Sequence, residues 1–566
     1  MKICLIQPPI EDFYTTPLRN VPLGLLTIAA VLPEHQLQVL DLRSGRPERI
    51  PLPPELGAVA PYYPPDDVSP FGLYKHYYRF GPTPAAIGDL LPKDGDLFLI
   101  SALFTAYAPT VYELIGILRK KAGSAWIVVG GAHATACPED ILQAGADFVV
   151  CGEGELAISA LVTELSKPEP ELADVPNLVW RKNGQIIRNP VVTIANLDHL
   201  PAPQYLLSGL PTYAIRGQRL AMLIASRGCP HRCTFCGINQ VMGNRNRRHT
   251  VEYVLSVMDR MVARGVRFFD FEDDHFGGDR EWLLELLDGI VARFGAGQLQ
   301  LAAMNGITAS NLDAVVLAKM RQAGFRALNL ALVAPSRGQQ QTLGRPFDTD
   351  FFIELVAQAR ALDFTVTAYL IIGLPGEPAA EILRAILLLS AQPVLLGPSL
   401  FYLVPGTALF AEIASAGRLP VSLLQYRATY FPVESAACSR TAAMTLFRLC
   451  RLVNFIKAGL DDGWPSVSYQ LSDGQIFIPD EIQGNAVRRA VGMALLAHFF
   501  RTGQLGGARP SGRRRYRIVP EKVEPALLQA FLDEDWMISG VRSMRRCTKT
   551  EIMDRVISGS FGGATF

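Results

Sequence analysis

The sequence predicts an α/β protein with two parallel-sheet units in series. A Rossmann-like sheet comes first, a partial TIM barrel of six βα units follows, and a mostly helical extension ends the chain. Three observations carry that prediction. Short apolar runs alternate with amphipathic helical patterns over residues 1–165, and they do so again over residues 216–415. Strands of a parallel sheet are covered on both faces, so they read as continuous apolar runs and not as alternating ones. Beyond residue 416 the pattern turns helical, as in TLFRLCRLVNFIK.

In the first unit the strand-like runs are Lys2–Gln7, Gln36–Leu42, Leu97–Ser101, Trp126–Gly130 and Asp147–Val150, with helical patterns at Leu23–Leu32, Thr110–Lys121 and Pro138–Ala144. A Pro- and Tyr-rich insertion over residues 44–94 interrupts them. A loop of that length is either a surface elaboration or a lid over a ligand site. Residues 166–215 read as a linker with a small hairpin, LVWRKNGQIIR, turning at Asn183-Gly184. The second unit has runs at Leu220–Ser226, Arg267–Asp273, Leu299–Asn305, Ala327–Val333, Thr365–Ile372 and Ser399–Val404. Six βα units at near-regular spacing place functional loops at the strand C-terminal ends.

A chain of 566 residues, 49% hydrophobic and 19% charged, has ample core for several domains. A net charge of +1 gives no electrostatic footprint for nucleic acid. The uncharged stretch Ala385–Ala411 is broken by Pro393, Gly397, Pro398, Pro405 and Gly406, so no transmembrane segment is expected. Nine cysteines without a secretory signal suit a reducing, cytoplasmic setting and metal binding.

Three of those cysteines cluster directly after the strand LAMLIAS, in RGCPHRCTFCG: Cys229, Cys233 and Cys236, with Phe235 before the last. Three thiolates on one loop suit three irons of a [4Fe–4S] cubane and leave the fourth iron open. A structural zinc site normally closes with four ligands, and a fourth is missing here. This CxxxCxΦC loop after the first strand of a six-fold βα series resembles the radical S-adenosylmethionine superfamily. The resemblance covers residues 215–410 and implies that S-adenosylmethionine chelates the open iron and yields a 5′-deoxyadenosyl radical. It also implies cosubstrate contacts at later strand ends. FFDFEDDHFGGD departs from the GGE-like segment of many relatives and has the form of the cobalamin-dependent branch, which makes Glu272 and Asp273 candidates for the ammonium group. Asn305 suits the ribose or carboxylate, and equally a plain turn. Ile372 and Gly373, in IIGLPGE, would border the adenine, and Phe235 joins the set.

The first unit adds three weaker signals in order: SALFT, VVGGAHAT and VVCGEGE, each following a strand. They resemble the elements of cobalamin-binding domains. The resemblance makes Ser101, Leu103, Thr105, Gly130, Gly131, His133 and Glu153 candidates, with small residues leaving a channel for the nucleotide tail. His133 serves equally as a structural loop residue. The family's DxHxxG loop after the first strand is replaced by QPPIEDFY, which has no His, so cobalamin would bind without a histidine ligand.

The resemblance implies radical methylation of an unactivated carbon in a small-molecule or lipid-like substrate, with an external donor such as flavodoxin or ferredoxin. Cobalamin-assisted cyclisation or rearrangement is the alternative among enzymes, and a corrinoid-binding sensor or carrier is the alternative of another class. Arg245, Arg247 and Arg248 suit a nearby anion or a solvated loop, RPSGRRRYR reads as solvated surface, and Cys438, Cys450 and Cys547 are too scattered for a second cluster.

Overall fold

Strands of the first unit send alternate side chains to two separate cores. Ile3, Leu5, Leu97 and Leu99 pack with Leu25, Ala29, Ile158 and Leu161 on one face. Cys4, Ile6, Phe98 and Ile100 pack with Val111, Leu114 and Leu118 on the other. Helices thus cover both faces, which is why these strands are uniformly apolar. The computed structural model describes residues 1–558 except 15–20, 206–209, 211, 216, 335, 346 and 463–467. Its first sheet has seven strands, ordered Gln185–Arg188, Leu178–Lys182, Phe148–Val150, Trp126–Gly130, Leu97–Ser101, Lys2–Gln7 and Gln36–Asp41. The last five run parallel. The hairpin at Asn183-Gly184, both with positive φ, extends this sheet instead of standing in a linker. Burial of Val175 and Leu178 in the domain core draws it there.

The insertion is neither a bare loop nor a detached elaboration. Ile10–Asp12, Tyr77–Phe80 and Glu48–Ile50 form a small antiparallel sheet, and Leu56, Val59, Tyr62, Phe71 and Tyr77 enter the core shared by the barrel and the C-terminal extension. Asp67 Oδ1 accepts from Ala508 N at 2.9 Å, and Tyr62 O accepts from Arg448 Nη2 at 2.7 Å.

The barrel strands are Gln218–Leu223, Phe268–Phe271, Gln300–Ala302, Ala327–Val333, Thr365–Ile372 and Val394–Leu400. They pair parallel in chain order, and the ladder thins to a single Leu301–Phe325 bridge between the third and fourth. The sixth strand lies earlier than the expected Ser399–Val404. Its one neighbour is Thr365–Ile372, so an open edge accommodates Pro398, which has no N–H to donate. That outer edge is closed by a side chain: Asn454 accepts from Leu396 N at 2.9 Å and donates to Leu396 O at 2.8 Å.

Asn454 belongs to Arg440–Asp462, a helix of 23 residues. With Asn485–Thr502, Pro525–Asp533 and Lys549–Ser558 it makes the extension mostly helical. A four-stranded antiparallel sheet, Gln470–Ser472, Gln475–Phe477, Arg515–Pro520 and Gly506–Gly512, accompanies these helices. RPSGRRRYR is the turn and flank of that sheet, too polar on its outer face to read as strand. Among the described residues no helix is long and apolar enough to cross a membrane.

Candidate functional site

The cysteine loop leaves the first barrel strand through Ser226–Arg227, which pairs with Arg247–Arg248. Gly228 follows with φ +81, and a Cβ there would strike the Arg245, Met242 and Gly243 carbonyls, so only glycine fits. The loop is pinned on every side. Gly228 N donates to Asp274 Oδ2 at 3.0 Å and Cys229 N to Gly243 O at 3.4 Å. Thr234 N donates to Leu343 O at 3.1 Å, and Thr234 O accepts from Leu409 N at 3.0 Å. Cys229 is buried, Cys233 half-buried and Cys236 exposed. Burial nevertheless pushes the Cys236 thiol up. Among the described residues no three His, Cys, Asp or Glu side chains converge on a point for a single ion. A cubane asks instead for one thiolate at each of three separate irons. Three thiolates supplied by one loop are the donor set such a cubane with one open iron would take.

Of the cosubstrate candidates, Asp273 is turned inward. It is 1% exposed, accepts from Ala225 N at 2.8 Å and Ser226 Oγ at 2.6 Å, and burial lifts its carboxyl to about 7. It holds the start of the cysteine loop, which corrects its expected place beside an ammonium. Glu272 is half-buried at the adjacent strand end, where exposed Asn305 donates to its carbonyl at 3.2 Å. Phe235 is half-buried, and Ile372 is fully buried with its side chain in the core. Gly373, at φ +82, faces the Phe431 ring so closely that no Cβ fits. Sequence reasoning missed Asp274, exposed but lifted to about 6 by burial. It also missed the His231–His275 ring pair at 5.1 Å and Arg345, whose charge acts on both histidines.

Glu153 and His133 are likewise corrections. Glu153, 3% exposed, lies at the interface of the two units. Its carboxylate accepts from Arg227 at 2.9 Å, Arg247 at 2.7 Å and Ile194 N at 2.8 Å, which leaves no face for a corrin. His133 is 1% exposed, with Nδ1 at 3.2 Å from Thr105 Oγ1 and Nε2 at 3.2 Å from the Tyr112 hydroxyl. Burial lowers it to about 4, so it is a neutral internal tie that also occupies Thr105. The remaining candidates line the C-terminal edge of the first sheet. Ser101 pairs with Gly130, and Gly131, at φ +114, packs against the Ala102 carbonyl with no room for a Cβ. Leu103 is 44% and Phe104 50% exposed there, beside a cavity that Pro9, Arg43, Ser101 and Tyr107 also line. Exposed apolar surface at the carboxyl edge of a parallel sheet, with Arg43 Nε buried and without a partner beside it, suits a large cofactor with amide side chains.

Three phenols gather near Cys236. Tyr14 is 44% exposed, yet burial raises its hydroxyl, and its ring lies 5.5 Å from that of Tyr74 of the insertion. Tyr402, beyond the sixth strand, lies near enough to Tyr14 and Cys236 to be influenced by both. Asp12, buried beside these phenols, accepts from Tyr107 Oη at 2.6 Å and lies 3.5 Å from Arg427 of the extension, so its charge is already matched.

Comparison with known proteins agrees with these two edges. Residues 89–162 match the B12 binding domain and residues 223–389 the radical SAM superfamily. An uncharacterized methyltransferase of Pyrococcus horikoshii is 26% identical over 68% of this chain and 76% of its own length. The cytidylyl-2-hydroxyethylphosphonate methyltransferase of Streptomyces wedmorensis is 25% identical over 66% of this chain and 73% of its own. An anaerobic magnesium-protoporphyrin IX monomethyl ester cyclase of Synechocystis is 27% identical over 40% of this chain and 46% of its own. The fold is shared with the radical S-adenosylmethionine methyltransferase TsrM of Kitasatospora setae, solved with cobalamin and a [4Fe–4S] cluster bound. Its TM-score is 0.55 at 17% identity, over 76% of this chain and 82% of that one. The chain thus carries a B12 binding domain followed by a radical SAM domain.

Proposed function

We propose that the protein is a radical methyltransferase acting on an unactivated carbon of a small-molecule or lipid-like substrate. Two observations support the reading: a single chain carries both a B12 binding and a radical SAM domain, tied together by Arg227 to Glu153 and Glu155, and its longest-matching relatives above are methyltransferases. When bound, the cluster and S-adenosylmethionine supply a hydrogen-abstracting radical, and cobalamin supplies the methyl group. Cys229, Cys233 and Cys236 would hold the cluster, and Phe235, Glu272 and Asn305 would border S-adenosylmethionine. Ser101, Leu103, Gly130 and Gly131 would border cobalamin, with Arg43 beside them. The chain's own task is to orient these groups and exclude water. The phenols of Tyr14, Tyr74 and Tyr402, near Cys236 and beside an Asp12 whose charge is already matched, would offer a substrate an apolar, hydrogen-bonding surface, which suits a lipid-like one. We place the protein in the cytoplasm, where a flavodoxin or ferredoxin would reduce it and no nucleic acid takes part.

The cyclase match favours a second reading, cyclisation without methyl transfer. The two part cleanly when the reduced enzyme turns over its substrate with S-adenosylmethionine carrying a deuterated methyl group. Methylation yields labelled product with both 5′-deoxyadenosine and S-adenosylhomocysteine. Unlabelled product with deoxyadenosine alone makes it a cyclase or rearrangement enzyme, and neither by-product leaves a corrinoid-binding sensor or carrier.

A separate result is expected at the first sheet. Gly130 has ordinary clearance, its nearest neighbour Val150 lying 3.8 Å from a built Cβ. Gly130→Trp therefore folds but fills the space beside Ser101. Cobalamin uptake, read by absorbance after gel filtration, falls below detection while iron content stays at the wild-type level.

A further inference from the structure

Two cofactors on two units are useful only if their separation is fixed, and Arg227 stands at the junction nearest the cysteine loop. It lies two residues before Cys229 and is 5% exposed. Its guanidinium is forked across the other unit: Nη1 donates to Glu153 Oε1 at 2.9 Å and Nη2 to Glu155 Oε1 at 2.6 Å. Those carboxylates flank Gly154, on the turn that leaves the Phe148–Val150 strand at the carboxyl edge of the first sheet. Arg247 doubles the tie through Glu153 Oε2 at 2.7 Å, and Ser226–Arg227 is laddered to Arg247–Arg248.

We infer that Arg227 is a positioning residue that sets the spacing between the iron–sulfur and cobalamin sites. The inference rests on the cofactor assignment above. The path from carboxylates to cysteine is short and stiff. Gly228 sits at φ +81 with carbonyls filling the place of a Cβ, and its N–H is held by Asp274. Any shift of Glu153 and Glu155 is therefore passed to Cys229 and not absorbed on the way. A planar, bidentate guanidinium restrains angle as well as distance, which a lysine in its place would not do. A plain interface residue would have no reason to be joined to a candidate cluster ligand through a single glycine whose N–H is itself pinned.

The test measures distance, with no substrate needed. Holoenzyme is loaded with cluster and cobalamin and poised so that both cob(II)alamin and the reduced cluster are paramagnetic, and pulsed dipolar EPR reads their separation. Wild type is expected to give one narrow distribution. Arg227→Met, carrying wild-type iron and cobalt, is expected to lose the narrow peak. Glu155→Gln, which keeps the shape and removes one charge, is expected to broaden it, and this variant decides the matter if Arg227→Met does not fold. A distribution superimposable on wild type in a loaded Arg227→Met, or in Glu155→Gln where that variant decides, overturns the inference. Wild type that takes up iron but no cobalt overturns the cofactor assignment instead, and this inference falls with it.

Discussion

Replacing Cys229, Cys233 and Cys236 together with Ala is expected to take anaerobically reconstituted protein from about four irons per chain to none. Visible absorbance and 5′-deoxyadenosine formation should disappear with them. The fold should survive, because the loop is held by other groups: Gly228 by the Asp274 carboxylate, Cys229 N by the Gly243 carbonyl, Thr234 by Leu343 and Leu409. Far-ultraviolet circular dichroism and gel filtration on the same sample separate lost iron from lost structure. Iron or deoxyadenosine retained by the triple variant removes the assignment of these thiolates.

The second large effect lies far from the cluster. Lys457 is fully buried, and its Nζ donates to the carbonyls of Ser390 at 2.7 Å, Gln392 at 2.6 Å and Ser539 at 2.9 Å. It caps the helix Ala379–Ser390 and ties it to the Met537–Ser539 strand. Lys457→Met keeps the volume but strands three buried carbonyls, for a loss of about 3 kcal/mol in chemical denaturation. Burial also lowers this ammonium from 10.5 to about 7. Between those values the unfolded chain holds a proton that the folded one gives up. Lys457 thus adds a contribution that makes stability rise with pH through that window. Lys457→Met should lack this rise. Equal stability of variant and wild type near pH 7 would show that the carbonyls find other donors.

Local residues were enough to announce the two sheets and the cysteine loop. Runs such as LFLIS and WIVVG are apolar throughout because both faces of a parallel sheet are covered, and that requirement is written into each strand. Asn183-Gly184 specified its hairpin because the turn needs positive φ at both positions. The cysteine spacing needs nothing beyond one loop.

Where residues from distant segments meet, the sequence was silent. The order of barrel strands is local, but the true position of the sixth strand depended on a free edge that shelters Pro398 and on Asn454 closing it from the extension. Glu153, His133 and Asp273 were site candidates because the family resemblance places ligand contacts at those strand ends. Each is instead saturated by partners distant in the chain: Arg227 and Arg247, Thr105 and Tyr112, Ala225 and Ser226. A polar side chain next to a site binds a ligand only if no internal partner claims it first. The sequence by itself determined which chemistry the chain carries. Only the tertiary structure decided which polar residues remain to face it, because burial leaves no paired group free to turn outward.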